Sequence, residues 1–105
     1  MELLWYKLPG GHEPARDFIA GLPDPVGRRA FLRRLIQVES GLLGDHRPLG
    51  GGLWEFRLHV GPGYRLYAGR LSEGSFVLLA AGPKGRQVRD IVRARLFWRT
   101  FGMDQ

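Results

Sequence analysis

The stretch LWEFRLHVGPGYRLYAGR, residues 53–70, predicts the centre of the fold. On both sides of Gly61-Pro62-Gly63, apolar residues alternate with charged or polar ones. Alternation with a period of two is typical of a half-buried strand, and a glycine-proline-glycine segment is typical of a tight reversal. The stretch therefore predicts two antiparallel strands that form a hairpin.

The alternation also assigns the side chains of this hairpin to two faces of a sheet. We expect the apolar face of the first strand to pack against helices; it contains Trp54, Phe56, Leu58 and Val60. Arg57 and Arg65 share the other face, which we expect to be open. Like charges near one another across two strands are unfavourable unless an anion lies between them. Either Glu55 neutralises the two arginines, or this face binds an anionic ligand.

Other segments predict two further strands and a loop. Residues 3–8 predict a short opening strand that ends at a proline-glycine pair. Residues 76–81 are almost continuously apolar, which favours a central strand buried on both faces. Residues 42–52 are rich in glycine and predict a loop.

Helical spacing of apolar residues appears in three segments. The first two begin at Pro14 and Pro25 and predict an antiparallel helical hairpin, and the third covers residues 87–101. The class is α+β: an N-terminal strand, a helical hairpin, a three-stranded antiparallel meander and a C-terminal helix. We expect the helices to pack on one face of a small sheet.

Length and composition exclude several classes of protein. The 105 residues suffice for a single domain, residues 1–105. The absence of cysteine excludes disulfides and thiolate sites, and the histidines at positions 12, 46 and 59 lack metal-ligand spacing. The chain has no long apolar run and no secretory leader pattern. We therefore expect a cytoplasmic protein with no metal, no cofactor and no membrane contact.

The charge indicates an anionic partner. The formal net charge is +6, and arginine supplies all but two of the 16 basic residues. A guanidinium presents a planar fork that matches phosphate. Lys84 follows the predicted central strand, and Gln87 and Asp90 begin the last helix, whose N-terminal amides also favour an anion. Basic groups from two strands and one loop could thus meet at a phosphate.

Two segments resemble a known family: GDHRPLGGGLWEFRLHVGPGYRLYAGR and LLAAGPKGRQVRDIVRARLFW. They resemble the RelE/ParE superfamily of toxins from type II toxin–antitoxin modules, in particular the addiction module killer proteins related to HigB-type toxins. The positions that match the family pattern are Gly44-Asp45, Gly50, Gly52, Glu55, Arg57, Gly61 to Arg65, Tyr67, Lys84, Gln87 and Asp90-Ile91. Ala81, Pro83 and Gly85-Arg86 depart from that pattern beside the lysine.

The resemblance implies a RelE-like toxin domain and a function for it. Such toxins are metal-independent mRNA interferases, endoribonucleases that usually cut messages on the ribosome and so inhibit translation. The resemblance assigns catalysis to Arg57, Arg65 and Lys84. It also implies a cognate antitoxin, typically a small helix-turn-helix protein encoded next to the toxin, with the ribosome and mRNA as further partners.

Four other residues are candidates for substrate binding. Glu55 could act as a base, although we favour a role in orienting Arg57. Tyr67 could stack on or donate to a substrate, or belong to the core. His59 could carry a proton, because imidazole titrates near neutrality. Gln87 could bind substrate or cap the last helix.

Two other functions fit the same sequence. A ParE-like toxin shares the fold and inhibits gyrase, and a non-catalytic relative would bind RNA or protein through a decayed site. Retention of Arg65 and Lys84 favours the nuclease, whereas Pro83 leaves the non-catalytic relative open.

Overall fold

The structure is a computed structural model that describes residues 1–103. Five strands, three helices and one short 3-10 turn follow one another along the chain. They are β1 (Leu3–Trp5), α1 (Pro14–Ala20), α2 (Pro25–Glu39), β2 (His46–Gly50), β3 (Leu53–Leu58), β4 (Tyr64–Arg70), β5 (Phe76–Pro83), the 3-10 turn (Lys84–Arg86) and α3 (Gln87–Met103). The α+β class and the three helices are confirmed.

The strands form one mixed sheet in the order β1-β5-β4-β3-β2. β1 lies parallel to β5, and the other pairs are antiparallel. The prediction of a loop over residues 42–52 was wrong in part, because residues 46–50 pair with β3 as an edge strand. Pro48 obscured this strand, since proline removes a ladder hydrogen bond and is tolerated only at an edge.

The predicted hairpin of β3 and β4 is confirmed. Arg57 and Arg65 are directly paired across it. The turn uses Gly61 and Gly63 at φ angles of 52° and 78°, a region that favours glycine. The apolar face packs toward the helical hairpin, as expected, through Trp54, Phe56, Leu58 and Val60.

The prediction that all helices cover one face of the sheet was wrong. One core cluster joins α1 and α2 to one face, and it contains Phe31, Phe56 and Leu78. A second cluster joins α3 to the opposite face, and it contains Tyr67 and Phe97. The reason lies in β5, whose residues 76–82 are all buried, so that both of its faces need apolar cover. Trp98 and Phe101 are partly buried against the second cluster.

An N-cap joins α2 to the sheet. Asp24 Oδ1 accepts a hydrogen bond from the backbone N–H of Val26, and Pro25 takes the first helical position. Asp24 Oδ2 accepts a hydrogen bond of 2.8 Å from the Tyr64 hydroxyl. This hydrogen bond is the main cause that lowers the pKa of Asp24. Burial is the main cause that raises the pKa of Tyr64, and the hydrogen bond to Asp24 raises it further.

Within residues 1–103, no helix combines the length and apolar character that a membrane crossing requires.

Candidate functional site

A row of residues crosses the sheet on the face that carries α3. Arg57 of β3 pairs with Arg65 of β4, and Arg65 pairs with Gly82 of β5. On the other side of Arg57, its backbone N–H donates to the carbonyl of Asp45 at 2.9 Å. Two guanidinium side chains therefore start from neighbouring positions on adjacent strands.

Arg65 is held inside the protein with part of its donor capacity unused. Arg65 is only 6% exposed, and its Nη1 donates to the carbonyls of Gly63 and Tyr64 at 3.2 and 3.1 Å. Nε is buried and has no hydrogen-bond partner among residues 1–103. A guanidinium has five N–H donors, so Arg65 retains the capacity to bind an anion.

Lys84 lies beside Arg65 at the β3–β4 turn. Its backbone N–H donates to the carbonyl of Gly63 at 2.8 Å. A Cβ placed on Gly63 would be 3.6 Å from both Arg65 Nη1 and Lys84 Cβ, so both residues border the same glycine. Pro83 remains in β5, paired with Tyr64, and leaves Lys84 exposed next to the turn.

Asp45 contacts two of the predicted site residues at once. Its Oδ1 accepts from Arg57 Nη2 at 3.1 Å, and its Oδ2 lies 2.5 Å from His59 Nε2. The hydrogen bond to His59 is the main cause that lowers the pKa of Asp45, and the charge of Arg57 adds to it. One carboxylate thus joins the imidazole and the guanidinium. Sequence reasoning matched Asp45 to the family pattern without giving it a role.

Arg34 of α2 fixes the backbone beneath this group. Its Nη1 donates to the carbonyl of Asp45 at 3.2 Å, and its Nη2 donates to the carbonyl of Arg57 at 3.0 Å. Beside it, a cleft of about 160 Å³ extends from His59 to Arg33 and Gln37. The sequence analysis gave Arg34 no role, because local periodicity does not indicate which distant backbone groups a helix side chain will contact.

Glu55 does not have the role that we expected. Among the described residues, its partners are Arg47 Nε, which donates to Oε1 at 2.9 Å, and Gln87 Nε2, which donates to Oε2 at 2.8 Å. Arg57 pairs with Asp45 instead. Glu55 is fully buried, so it links the edge strand β2 to the start of α3 and does not meet solvent. Gln87 takes part in that link.

Tyr67 of β4 and Asp90 of α3 are buried next to Glu55, between the sheet and α3. Tyr67 is inaccessible to solvent, and its hydroxyl has no hydrogen-bond partner in the described chain. Burial raises its pKa, and the charges of Glu55 and Asp90 raise it further. A direct contact of Glu55 or Tyr67 with a substrate would require α3 to move.

Asp90 is a buried carboxylate among arginines. It is 1% exposed, and neither oxygen accepts a hydrogen bond within residues 1–103. Arg86 Nε and Arg93 Nη1 lie 3.8 Å from its oxygens. Burial raises the pKa of Asp90, against the opposing effect of the arginines. Its Oδ2 would lie 2.1 Å from a Cβ on Gly82, so α3 can pack this closely only against glycine.

The structure thus brings Arg57, Arg65 and Lys84 to one end of the α3 face, with His59 and Asp45 at its border. Glu55, Tyr67 and Asp90 form a buried polar layer beside it, and Gln87 donates a hydrogen bond to Glu55 of that layer. In the part of the chain that the structure describes, no three His, Cys, Asp or Glu side chains come together as a metal site.

Comparison with known proteins gives one relative and no family description. No family model matches the chain. Over 70 residues the chain is 31% identical to an uncharacterized protein of Haemophilus influenzae, and the match covers 67% of this chain and 71% of that protein.

Proposed function

This chain belongs to the family of the uncharacterized Haemophilus influenzae protein, and from its cationic site we propose that it is an endoribonuclease that acts as the toxin of a toxin–antitoxin module. The observation that carries the proposal is the position of Arg57, Arg65 and Lys84. Two of them are paired across neighbouring strands, and the third borders the same turn as Arg65. The resemblance to RelE/ParE toxins supports the choice of RNA as the substrate.

The cationic group suits a phosphodiester. The Arg57 side chain is 33% exposed and Lys84 is exposed, so both can reach a phosphate that arrives from solvent. Arg65 contributes positive charge from inside the protein, where electrostatic interactions are stronger than in water. Charge that develops on the phosphoryl oxygens during cleavage would be stabilised by these three groups.

The proposed reaction is a transesterification. The ribose 2′-oxygen forms a bond to the adjacent phosphorus, and the bond from phosphorus to the 5′-oxygen breaks. The products are a 2′,3′-cyclic phosphate and a 5′-hydroxyl. One group must take the proton of the 2′-hydroxyl, and the leaving 5′-oxygen takes a proton from solvent.

His59 is the candidate for the proton acceptor. Its imidazole is 69% exposed, and Asp45 holds Nε2 in place, so that Nδ1 is the nitrogen left for a substrate. Asp45 also holds Arg57, which ties the position of the base to the position of the phosphate-binding group. A proton acceptor beside cationic groups suits attack by the 2′-hydroxyl, because one group removes the proton and the others stabilise the charge on the phosphoryl oxygens.

The proposal includes partners and a place of action. As a toxin of this kind the protein would act in the cytoplasm on translated mRNA, and a co-expressed antitoxin would silence it. The abundance of arginine suits approach to ribosomal RNA, whose phosphates dominate the affinity of basic proteins.

The test is expression of the chain alone in a bacterial host, with the 5′ ends of cellular mRNA mapped after induction. We expect growth arrest and new 5′ ends inside translated frames. Lys84→Ala should reduce the cleavage rate by about 100-fold or more, the usual cost of losing one charge-stabilising donor. Lys7→Ala is the matched control, because it removes the other exposed lysine and should cleave at the wild-type rate.

Two outcomes would contradict the proposed function, and a third would contradict the proposed site. Intact messages together with broken DNA would indicate a gyrase inhibitor. Normal growth with intact messages, at a verified level of folded protein, would indicate a non-catalytic relative. Equal cleavage by the Lys84→Ala and Lys7→Ala variants would remove Lys84 from the site.

A further inference from the structure

Arg34 of α2 closes the outer edge of β3 beside the site. β2 begins at His46, opposite Phe56, so Arg57 is the first residue of β3 beyond the paired region. The carbonyl of Arg57 accepts from Arg34 Nη2 at 3.0 Å, where a longer β2 would have supplied a backbone N–H. The same guanidinium donates through Nη1 to the carbonyl of Asp45 at 3.2 Å. One side chain of α2 therefore ties two segments of the chain together.

The position of the Asp45 carboxylate depends on this backbone. The carboxylate contacts Arg57 Nη2 at 3.1 Å and His59 Nε2 at 2.5 Å, and the side chain of Asp45 is 38% exposed. Solvent-exposed ion pairs are weak, so these two contacts alone would not hold long side chains in one geometry. The carbonyl of Asp45 accepts from the backbone N–H of Arg57 at 2.9 Å as well as from Arg34. The backbone bonds therefore set where the carboxylate can reach.

Gly44 leaves room for the guanidinium of Arg34. Its φ angle is 66°, and a Cβ there would lie 2.8 Å from Arg34 Cζ and 2.9 Å from Arg34 Nε. Glycine adopts this φ without strain and leaves the space free. Burial lowers the pKa of Arg34, against the opposing charge of Asp45. A cation that has lost part of its hydration is held by the acceptors that replace the water, here the two carbonyls.

We propose that Arg34 is a positioning residue, which holds the backbone of Asp45 and Arg57 so that the Asp45 carboxylate fixes His59 relative to Arg57. The inference rests on the proposed function, in which His59 takes the proton of the 2′-hydroxyl and Arg57 binds the phosphate. These two groups must meet one substrate in one geometry, and a displacement of about 1 Å costs rate. Arg34 acts through the backbone, because both of its terminal nitrogens donate to carbonyls.

A purely structural role for Arg34 would be to close the edge of the sheet. Its loss would then lower stability throughout the sheet, and the effect would add to that of any change at the site. A positioning residue differs in two ways. Its loss releases the segment at Asp45 locally, and it affects cleavage only while the Asp45 carboxylate is present.

Amide hydrogen exchange measures the local release. Arg34→Met removes the guanidinium and keeps a good helix former. The exchange rate of the Arg57 N–H, divided by that of the Leu66 N–H in the centre of the sheet, should rise about tenfold or more. Arg29→Met is the matched control, because it removes the same charge from an exposed arginine of α2, and the ratio should stay within about twofold of the wild type. Equal ratios in the two variants would overturn the inference.

A second pair of variants leaves Arg34 in place. Gly44→Ala puts a Cβ against the guanidinium, whereas Gly41→Ala strains the backbone at a φ of 89° and its Cβ meets nothing within 4 Å. Gly44→Ala should raise the exchange ratio about tenfold or more, as Arg34→Met does, and Gly41→Ala should change it by less than about twofold. Equal ratios in these two variants would also overturn the inference.

Cleavage separates positioning from structure. The substrate is a defined mRNA on purified ribosomes, and the maximal rate and the half-saturating mRNA concentration are measured. Arg34→Met should lower the maximal rate about tenfold or more and leave the half-saturating concentration within about twofold, because the proton acceptor is displaced and binding is kept. The double variant with Asp45→Ala should be as slow as Asp45→Ala alone, within about twofold, since Arg34 acts through Asp45.

The outcomes distinguish this inference from the proposed function. Multiplied losses in the double variant, or a higher half-saturating concentration at an unchanged maximal rate, would overturn the positioning role and leave the nuclease standing. Absence of cleavage by the folded wild type would overturn the proposed function, and the positioning role with it.

Discussion

The two faces of the sheet differ in how they satisfy their buried polar groups. On the face covered by α1 and α2, the buried Tyr64 hydroxyl donates to Asp24 at 2.8 Å. On the α3 face lie the buried side-chain atoms that lack a hydrogen-bond partner within residues 1–103, namely Arg57 Nε, Arg65 Nε, Tyr67 Oη and both Asp90 oxygens. Unpartnered buried groups cost stability, so their concentration on one face separates a structural face from a candidate functional one.

The largest expected effect concerns the structural face. Phe56 is fully buried in the cluster of α1 and α2, with its ring 5.2 Å from that of Phe76. Phe56→Ala should lower the free energy of unfolding by about 3–5 kcal/mol, because it removes apolar contacts and leaves a cavity. Urea unfolding followed by circular dichroism measures the change. A loss below about 1 kcal/mol would show that this face is not the main source of stability.

The next effect concerns the packing of α3 on the other face. Gly82→Ala places a Cβ 2.1 Å from Asp90 Oδ2, so the first turns of α3 must shift away from the sheet. We expect a loss of about 1–3 kcal/mol in the free energy of unfolding, as for other overpacked sites. Gly10→Ala is the control, because a Cβ there meets nothing within 4 Å, and it should change stability by less than about 0.5 kcal/mol. Equal effects of the two substitutions would mean that Gly82 does not limit the approach of α3.

A smaller effect is expected for the partnered tyrosine. Tyr64→Phe removes the hydrogen bond to Asp24 and should cost about 1 kcal/mol at neutral pH. Because the pKa of Asp24 is lowered in the folded protein, the carboxylate stabilises the fold above its ordinary pKa of 3.8, and this contribution is lost as the pH falls through the lowered value. The difference between Tyr64→Phe and the wild type should therefore shrink in acid. A difference that grows as the pH falls would contradict this assignment.

The smallest effect is expected for the unpartnered tyrosine, and it sharpens the comparison. Tyr67→Phe removes a buried hydroxyl that has no hydrogen-bond partner in the described chain, next to the charges of Glu55 and Asp90. Stability should stay within about 0.5 kcal/mol of the wild type or increase, since no good hydrogen bond is lost. Thermal unfolding of the two tyrosine variants side by side measures the contrast. If Tyr67→Phe lowered the stability as much as Tyr64→Phe, the two faces would not differ in how well their buried tyrosine hydroxyls are hydrogen-bonded.

Local pattern predicted most of the elements, and long-range contacts account for the errors. The hairpin, the faces of Phe56 and Leu58, and the three helices followed from periodicity and turn chemistry. The strand at residues 46–50 was missed because Pro48 and the nearby glycines favour a loop unless a neighbouring strand pairs with them. We did not predict that α3 covers the second face of the sheet. The expectation that β5 is buried on both faces already required a helix there.

The candidate site divides in the same way. The pairing of Arg57 with Arg65 follows from the hairpin, and Lys84 follows from its place after the central strand. Asp45 contacts Arg57 and His59, which lie 12 and 14 positions further along the chain. Asp45 directly precedes the unexpected edge strand β2, whose pairing with β3 brings it to these residues. Glu55 was expected to orient Arg57, but its partner is Arg47. This error has the same origin, because Arg47 lies on the edge strand that the sequence did not predict.

The sequence by itself determined the α+β class, the β3–β4 hairpin and the abundance of arginine, because periodicity, turn residues and charge are local properties of a chain. Only the tertiary structure decided which carboxylate meets which cation, that α3 covers the face that carries Arg57 and Arg65, and that Arg34 reaches the backbone of Asp45 and Arg57. These features depend on which segments become neighbours, and burial against distant residues, rather than local preference, selects those neighbours.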